Sequence, residues 1–377
     1  MPARVRRSLG IMGLALVWAL LPIAAMGSND TSFSRQWALD KIGAPSAWTS
    51  STGAGVRIGI VDSGVDLLHE DLADKIVAHT SCVGANGNAS RCSGSGQDAH
   101  GHGTHVAGIA AAFKDNGKGI AGVAPDASLV VAKVLDERGA GNLDDVNAGI
   151  KWAVDNGAKV INLSLGDPVF LLTSLLGTGL EEGVEYAWAH GAVPVLASGN
   201  TNLLGLGSSD YGDLDAIVVG ATGPDDHVTD YSSPLGSAKW SILAPGGANN
   251  ATQADDIYST YWVRGQQNQY KYLAGTSMAT PHVAGAVGLL LARGYTPQGA
   301  VDRILETANA GVSCGAGSRN CRGRLDVARA LGVESPASPP TTDPISTNPP
   351  PTSEPPEDGG LLGILGTLGN LFGEVGP

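Results

Sequence analysis

Four separated stretches carry side chains that could together break an amide bond. The first is Gly275-Thr276-Ser277-Met278-Ala279-Thr280-Pro281-His282. It reads as a turn running into a helix: Gly275 permits a sharp bend, and Pro281 is expected in the first helical turn, where its missing N–H is not needed. From Val283 to Leu291 every residue is apolar or glycine, so this helix should be buried. Ser277 then lies at the helix's positive end, and its hydroxyl becomes a nucleophile only if a base takes its proton. His102, in His102-Gly103-Thr104-His105-Val106-Ala107-Gly108, opens another helix and can be that base. Asp62, in Ile60-Val61-Asp62-Ser63-Gly64, follows a strand and can hold the imidazole in one tautomer. Asn200, at the end of Ala197-Ser198-Gly199-Asn200, brings an amide N–H donor for the charge that develops on a carbonyl oxygen.

These groups need a scaffold that gathers them. Strands are expected at Val56–Val61, Leu129–Leu135, Val160–Leu165, Ala192–Ala197, Ala216–Gly220 and Ile242–Ala244. Helices are expected at Ala44–Trp48, Gly101–Phe113, Leu180–His190 and Asn142–Asn156, the last capped by Asn142. Apolar strands alternating with helices imply an α/β fold, with a mostly parallel central sheet covered by helices on both faces. In such sheets functional groups collect beyond the carboxyl ends of the strands, which is where Asp62, Ser164 and Asn200 fall.

Together the segments resemble the subtilisin-like serine peptidases, or subtilases, in the order Asp, His, Ser. The resemblance runs from about Gln36 to Ala330. It implies a secreted serine endopeptidase acting through an acyl-enzyme. In that reading Asp62 orients His102, His102 is general base and acid, Ser277 attacks the peptide carbonyl, and Asn200 with the Ser277 N–H forms the oxyanion hole. Ser164-Leu165-Gly166 and Ala197-Ser198-Gly199 match segments lining the family's substrate cleft, where a peptide adds as a strand. Structural calcium is implied at Asp71 in His69-Glu70-Asp71-Leu72, at Asp115 after the His102 helix, and at Asp30 in the N-terminal arm. Protein or peptide substrates are the expected partners, and a monomer the expected state. The chain departs from the family pattern at Asp167, where many relatives have glycine, and over Thr201–Asp215. The stretch Asp167–Gly183 is also longer and more hydrophobic than usual.

Two other function classes follow from the same residues. A secreted scaffold that binds peptides or surfaces without turnover would make the C-terminal tail its business end. A metallo-hydrolase could be built on His100-Gly101-His102-Gly103-Thr104-His105, but Thr104 stands where the metal motif needs aspartate.

Composition sets bounds on these readings. The 377 residues are 42% hydrophobic, enough for a large core, while 54 glycines point to tight turns and close packing. A formal net charge of -13 argues against a nucleic-acid partner and is compatible with cation binding. Arg4, Arg6 and Arg7 precede the apolar run Ile11–Ala25, and Ala25-Met26-Gly27 offers small residues for cleavage. Residues 1–27 are therefore expected to be an export signal, with no room between it and the arm for an inhibitory pro-domain. The four cysteines fit an oxidising compartment, and short loops favour Cys82–Cys92 and Cys314–Cys321 among the three pairings. The peptidase domain is expected over 28–332, a disordered Pro/Ser/Thr-rich linker over 333–358, and a Gly/Leu-rich tail over 359–377. The tail's leucines offer a surface or membrane contact, but its glycines disfavour an isolated helix by about 1 kcal/mol each.

Overall fold

The expected strands form one parallel sheet. A computed structural model describes residues 27–165, 179–200 and 211–333. Its strands are β1 (Arg57–Asp62), β2 (Ile76–Ser81), β3 (Ser128–Lys133), β4 (Val160–Leu163), β5 (Val193–Ala197), β6 (Ile217–Thr222), β7 (Trp240–Pro245), β8 (Ile257–Val263), β9 (Gln266–Leu273) and β10 (Cys321–Arg324). Eight of them build the sheet in the order β10-β7-β6-β5-β4-β1-β3-β2, and β8 and β9 form a separate antiparallel hairpin. All sheet pairs are parallel.

The period of two along each strand divides the core into two layers. Ile58, Ile60, Leu129, Val131, Val195, Ile217 and Val219 face one side. There they pack against helices α1 (His102–Ala111) and α4 (Thr276–Ala292). Val61, Val130, Ala132, Ile161, Leu196 and Val218 face the other, against α2 (Leu143–Asp155) and α3 (Glu181–Ala189). Helices therefore cover both faces. Asn142 caps α2 as expected, its side chain accepting from the Asp145 N–H at 2.9 Å. α4 is buried along nearly its whole length, in keeping with its lack of a polar face.

Strands β5, β4 and β1 are neighbours, so their carboxyl ends lie side by side. Asp62 ends β1, Ser164 follows β4, and Asn200 lies three residues beyond β5. Helices α1 and α4 share the first face, and this brings His102 and Ser277, each in its helix's first turn, to the same rim.

Some elements carried no readable pattern. β2 and β10 are sheet edges of mixed polarity, with exposed His79 and charged Arg322 and Arg324. The hairpin β8–β9 mixes Gln, Lys and Tyr and packs on α1 rather than joining the sheet. A further helix, α5 (Pro297–Glu306), is capped by Thr296, whose hydroxyl accepts from the Gly299 N–H. Both short-loop disulfides, Cys82–Cys92 and Cys314–Cys321, are formed.

The chain divides into two units, Met1–Pro336 and Ala337–Pro377, and every described residue lies in the first. The expected signal segment before Gly27, the cleft residue Gly166, Asp167, the linker from residue 334 and the tail lie outside the described residues. Among the described residues no helix is long and apolar enough to cross a membrane.

Candidate active site

The rim holds a cleft of about 380 Å³, lined among others by His102, Ser164, Asn200 and Ser277. His100, Leu135, Arg138, Gly139 and Tyr261 contribute to its walls. The segments of His102, Asn200 and Ser277 thus meet at the cleft, and Asp62 lies behind His102.

Asp62 is wholly buried. Its carboxylate faces His102 Nδ1 at 2.8 Å from Oδ1 and 3.0 Å from Oδ2, and Oδ1 also accepts the Ser63 N–H at 2.7 Å. An imidazole nitrogen against a carboxylate carries the proton, which leaves Nε2 as the acceptor on the other edge of the ring. Burial alone pulls the His102 pKa down, but the charge of Asp62 and its hydrogen bond outweigh it, and the net effect is a rise above the ordinary histidine value.

Close packing explains the glycines here. A Cβ on Gly103 would come within 2.1 Å of the Gly64 carbonyl oxygen and 3.1 Å of Asp62. Gly101 has φ +102°, and a Cβ there would press into the Tyr261 ring at 2.5 Å. The hairpin grips the same helix: Ser259 Oγ donates to the His105 carbonyl at 2.8 Å and Thr260 Oγ1 to the Thr104 carbonyl at 2.7 Å.

Ser277 is 6% exposed, and its hydroxyl donates to the Ser164 carbonyl at 3.2 Å. Pro281 corrects an expectation. The helix begins at Thr276, so Pro281 lies in the second turn, inside the helix. Its missing N–H would have bonded the carbonyl four residues earlier, which is that of Ser277. The Ser164 hydroxyl takes that vacated place, donating to the Ser277 carbonyl at 2.8 Å, and itself accepts from Asn162 Nδ2 at 2.9 Å. The proline thus frees a carbonyl through which β4 anchors the Ser277 turn.

Asn200 Oδ1 accepts from the Thr276 N–H at 2.9 Å and Thr276 Oγ1 at 3.0 Å. Both bonds fix the amide's carbonyl on Thr276, beside Ser277.

The remaining cleft candidates divide. Ser164 lines the cleft, whereas Leu165 turns its side chain into the second core layer. Ala197, Ser198 and Gly199 are buried behind Asn200, with main-chain groups already engaged. Ser198 N–H donates to Val219 O, Gly199 N–H to Thr276 Oγ1, and Gly199 O accepts from Ser233 N–H. They form a wall behind Asn200.

The histidine cluster does not assemble as a metal centre. His105 is buried with Nε2 on the Lys271 carbonyl at 2.9 Å, and burial pushes its pKa down to about 3. His282 bonds the Met278 carbonyl at 2.9 Å, and burial takes it to about 4, so it packs as a neutral helix residue. Among the described residues no group of three or more His, Cys, Asp or Glu side chains converges.

Of the expected calcium residues, Asp30 and Asp71 meet through Asn116. Its N–H donates to Asp30 Oδ1 at 3.0 Å and its side-chain amide to Asp71 Oδ1 at 2.8 Å. Asp71 also accepts from Ile120 N–H and Tyr270 Oη. Asp115 adjoins Asp30: its N–H donates to Asp30 Oδ2 at 3.0 Å and Ser28 Oγ donates to both carboxylates, while the Asp115 carboxylate also pairs with Lys114.

Sequence reading missed Ser63, Thr104, Asn162 and Tyr261 as supports of the site. Only Ser63 and Thr104 carried a signal, since each adjoins a residue with chemistry.

Comparison with known proteins agrees with this geometry. A family model described as the subtilase family matches residues 53–332. Thermitase of Thermoactinomyces vulgaris is 40% identical over 304 residues, 80% of this chain and 98% of that protein. Subtilisin DY of Bacillus licheniformis is 40% identical over 247 residues, 64% of this chain and 78% of that one. Among solved structures, one titled as proteases from Pseudoalteromonas arctica PAMC 21717 superimposes with a TM-score of 0.67 at 27% identity, covering 81% of this chain and 100% of that one. With its match to the family over most of its length, this chain belongs to the subtilases and is a serine endopeptidase.

Proposed function

We propose that Asp62, His102 and Ser277 form the catalytic triad of an exported endopeptidase. The observation that carries this reading is the 2.8 Å contact of His102 Nδ1 with buried Asp62 on one wall of the cleft that Ser277 also lines. A peptide carbonyl enters the cleft. The Ser277 hydroxyl turns from the Ser164 carbonyl to His102 Nε2, gives up its proton there, and attacks the carbonyl carbon. The oxyanion is stabilised by the Asn200 amide and the Ser277 N–H. His102 then passes the proton to the leaving amine, and the C–N bond breaks to leave an ester on Ser277. Water, deprotonated by His102, hydrolyses that ester.

Ser277→Ala tests the proposal. Hydrolysis of a fluorogenic peptide should fall about 10⁶-fold, and labelling by a serine-directed phosphonate should vanish. Undiminished turnover would refute it.

Residues 1–27 act as the export signal in this reading, supported by the basic start, the apolar run and the two disulfides. A calcium ion at Asp30 and Asp71 fits the donor chemistry. Both carboxylates are buried, Asn116 bridges them, and the nearby cations Lys114 and Lys118 pair instead with Asp115 and Glu70. Its role would be structural, tying the N-terminal arm to the loop after α1. Calcium should raise the melting temperature of the wild type and not of Asp71→Asn.

A further inference from the structure

The mechanism uses one carboxylate beside His102, but a second lies close by. Asp98 is 1% exposed and sits in the loop before α1. Among the described residues it has no ion-pair partner, yet five donors converge on it. Oδ1 accepts from Ser63 Oγ at 2.9 Å and from the His100 and Gly101 N–H groups at 2.9 Å each. Oδ2 accepts from the Thr104 N–H at 3.0 Å and from Thr104 Oγ1.

These bonds reach the segments on both sides of the Asp62–His102 contact. Ser63 follows Asp62 directly, and its hydroxyl also accepts the Gly103 N–H at 2.9 Å. Ser63 is further held through its carbonyl by Lys133 Nζ at 2.7 Å. Thr104 lies two residues past His102, and its hydroxyl also accepts the Asp66 N–H at 2.9 Å. The N-cap position of α1 is Gly101, which has no side chain to satisfy the first turn. Asp98 does so from outside the helix. A carboxylate at a helix N-terminus is also electrostatically favoured there.

We propose that Asp98 is a positioning residue for peptide hydrolysis. It clamps the first turn of α1 to the end of β1, and so fixes His102 against Asp62. This rests on the triad reading above. Other charged or titratable groups face the same region. They are Asp62 on β1, Lys133 on β3, His100 and His105 beside His102, and Tyr261 on the hairpin. Against the downward pull of burial, Asp62 first and then Asp98 raise the His102 pKa. Asp98 therefore acts on both the place and the charge of the base.

The test measures kcat and KM against pH for a neutral peptide in Asp98→Asn and Thr104→Val, with active-site titration by a phosphonate. Asp98→Asn keeps the shape and removes the charge. Its acid limb should move to lower pH, and plateau kcat should fall about ten- to a hundredfold with little change in KM. Thr104→Val loosens the same clamp but keeps the charge, so its acid limb should stay in place. An Asp98→Asn enzyme that melts earlier but keeps the wild-type acid limb and plateau kcat would overturn the proposal. Should Asp98→Asn not fold, Asp98→Glu keeps the charge and displaces the oxygens. It should then lower plateau kcat with an unmoved acid limb, and wild-type kcat would overturn the proposal. Ser277→Ala and Asp62→Asn run alongside. Full activity in those two would sink the triad reading itself, separately from any result at residue 98.

Discussion

His102 and Ser277 meet at one rim but are held by different means. The imidazole is gripped from several sides: by Asp62 at 2.8 and 3.0 Å, by the Asp98–Ser63–Thr104 bonds at its helix start, and by the hairpin on the helix flank. Among the described residues the hydroxyl of Ser277 instead makes a single bond, at 3.2 Å, to the carbonyl of Ser164. The backbone beneath it is anchored, but the hydroxyl has a rotation still to make before it meets the imidazole. In the proposed mechanism the base is set in place before substrate arrives, and the nucleophile is left a short turn away. That division is economical, because an imidazole in the wrong tautomer is useless whereas a hydroxyl rotor moves freely.

The comparison can be broken by weakening each side in turn. Asp62→Asn should do the most damage short of removing Ser277 or His102, lowering kcat about 10⁴-fold because the ring loses its tautomer. A smaller fall, about 10²–10³ in kcat, is expected for Asn200→Ala, with KM nearly unchanged, since the amide acts on charge that appears only in the transition state. Ser164→Ala removes the hydroxyl that replaces the helix bond lost at Pro281. It should cost about 1 kcal/mol of stability and lower kcat less than Asn200→Ala, as followed by melting and steady-state kinetics. The double variant Cys82→Ser/Cys92→Ser should lose about 2–3 kcal/mol of stability in denaturant titration while kcat/KM at ambient temperature stays the same.

The pH profile sharpens the same contrast. The base must be neutral to accept the Ser277 proton. A His102 pKa raised above the ordinary value therefore means that kcat/KM falls as pH drops through that raised value. For folding the sign is opposite. The charged imidazolium beside Asp62 contributes stability below the unfolded-state pKa, and that contribution is lost as pH rises through the folded-state value. Alkaline conditions thus favour turnover while giving up this part of stability.

The groups proposed to react stand out in the sequence because they sit at punctuation. Asp62 ends an apolar run, His102 and Ser277 open helices, and the strand–helix alternation requires those ends to share a rim. The supports were less legible: Asn162 and Tyr261 reach the site from distant segments, and only Ser63 and Thr104 stand near a proposed reacting residue in the chain. Asp98 has no helix of its own, and the hairpin from Ile257 to Leu273 shows no clean alternation because it packs on a helix rather than a sheet. Pro281 was placed one turn too early, and only the Ser164 bond reveals what its missing N–H is for. Asp115 was singled out as a calcium ligand by position; its carboxylate pairs with Lys114 while its N–H donates to Asp30, a division that spacing alone does not show. Proximity along the chain does not report which way a side chain turns.

The most direct test of the account is to trap the intermediate. A slowly deacylating ester is mixed with the enzyme, quenched in acid, and the protein is digested for mass spectrometry. One acyl group on the peptide containing Ser277, absent from Ser277→Ala, is the predicted result. Turnover of the ester with the acyl group on another residue, or with none on Ser277 while deacylation is rate-limiting, would contradict it.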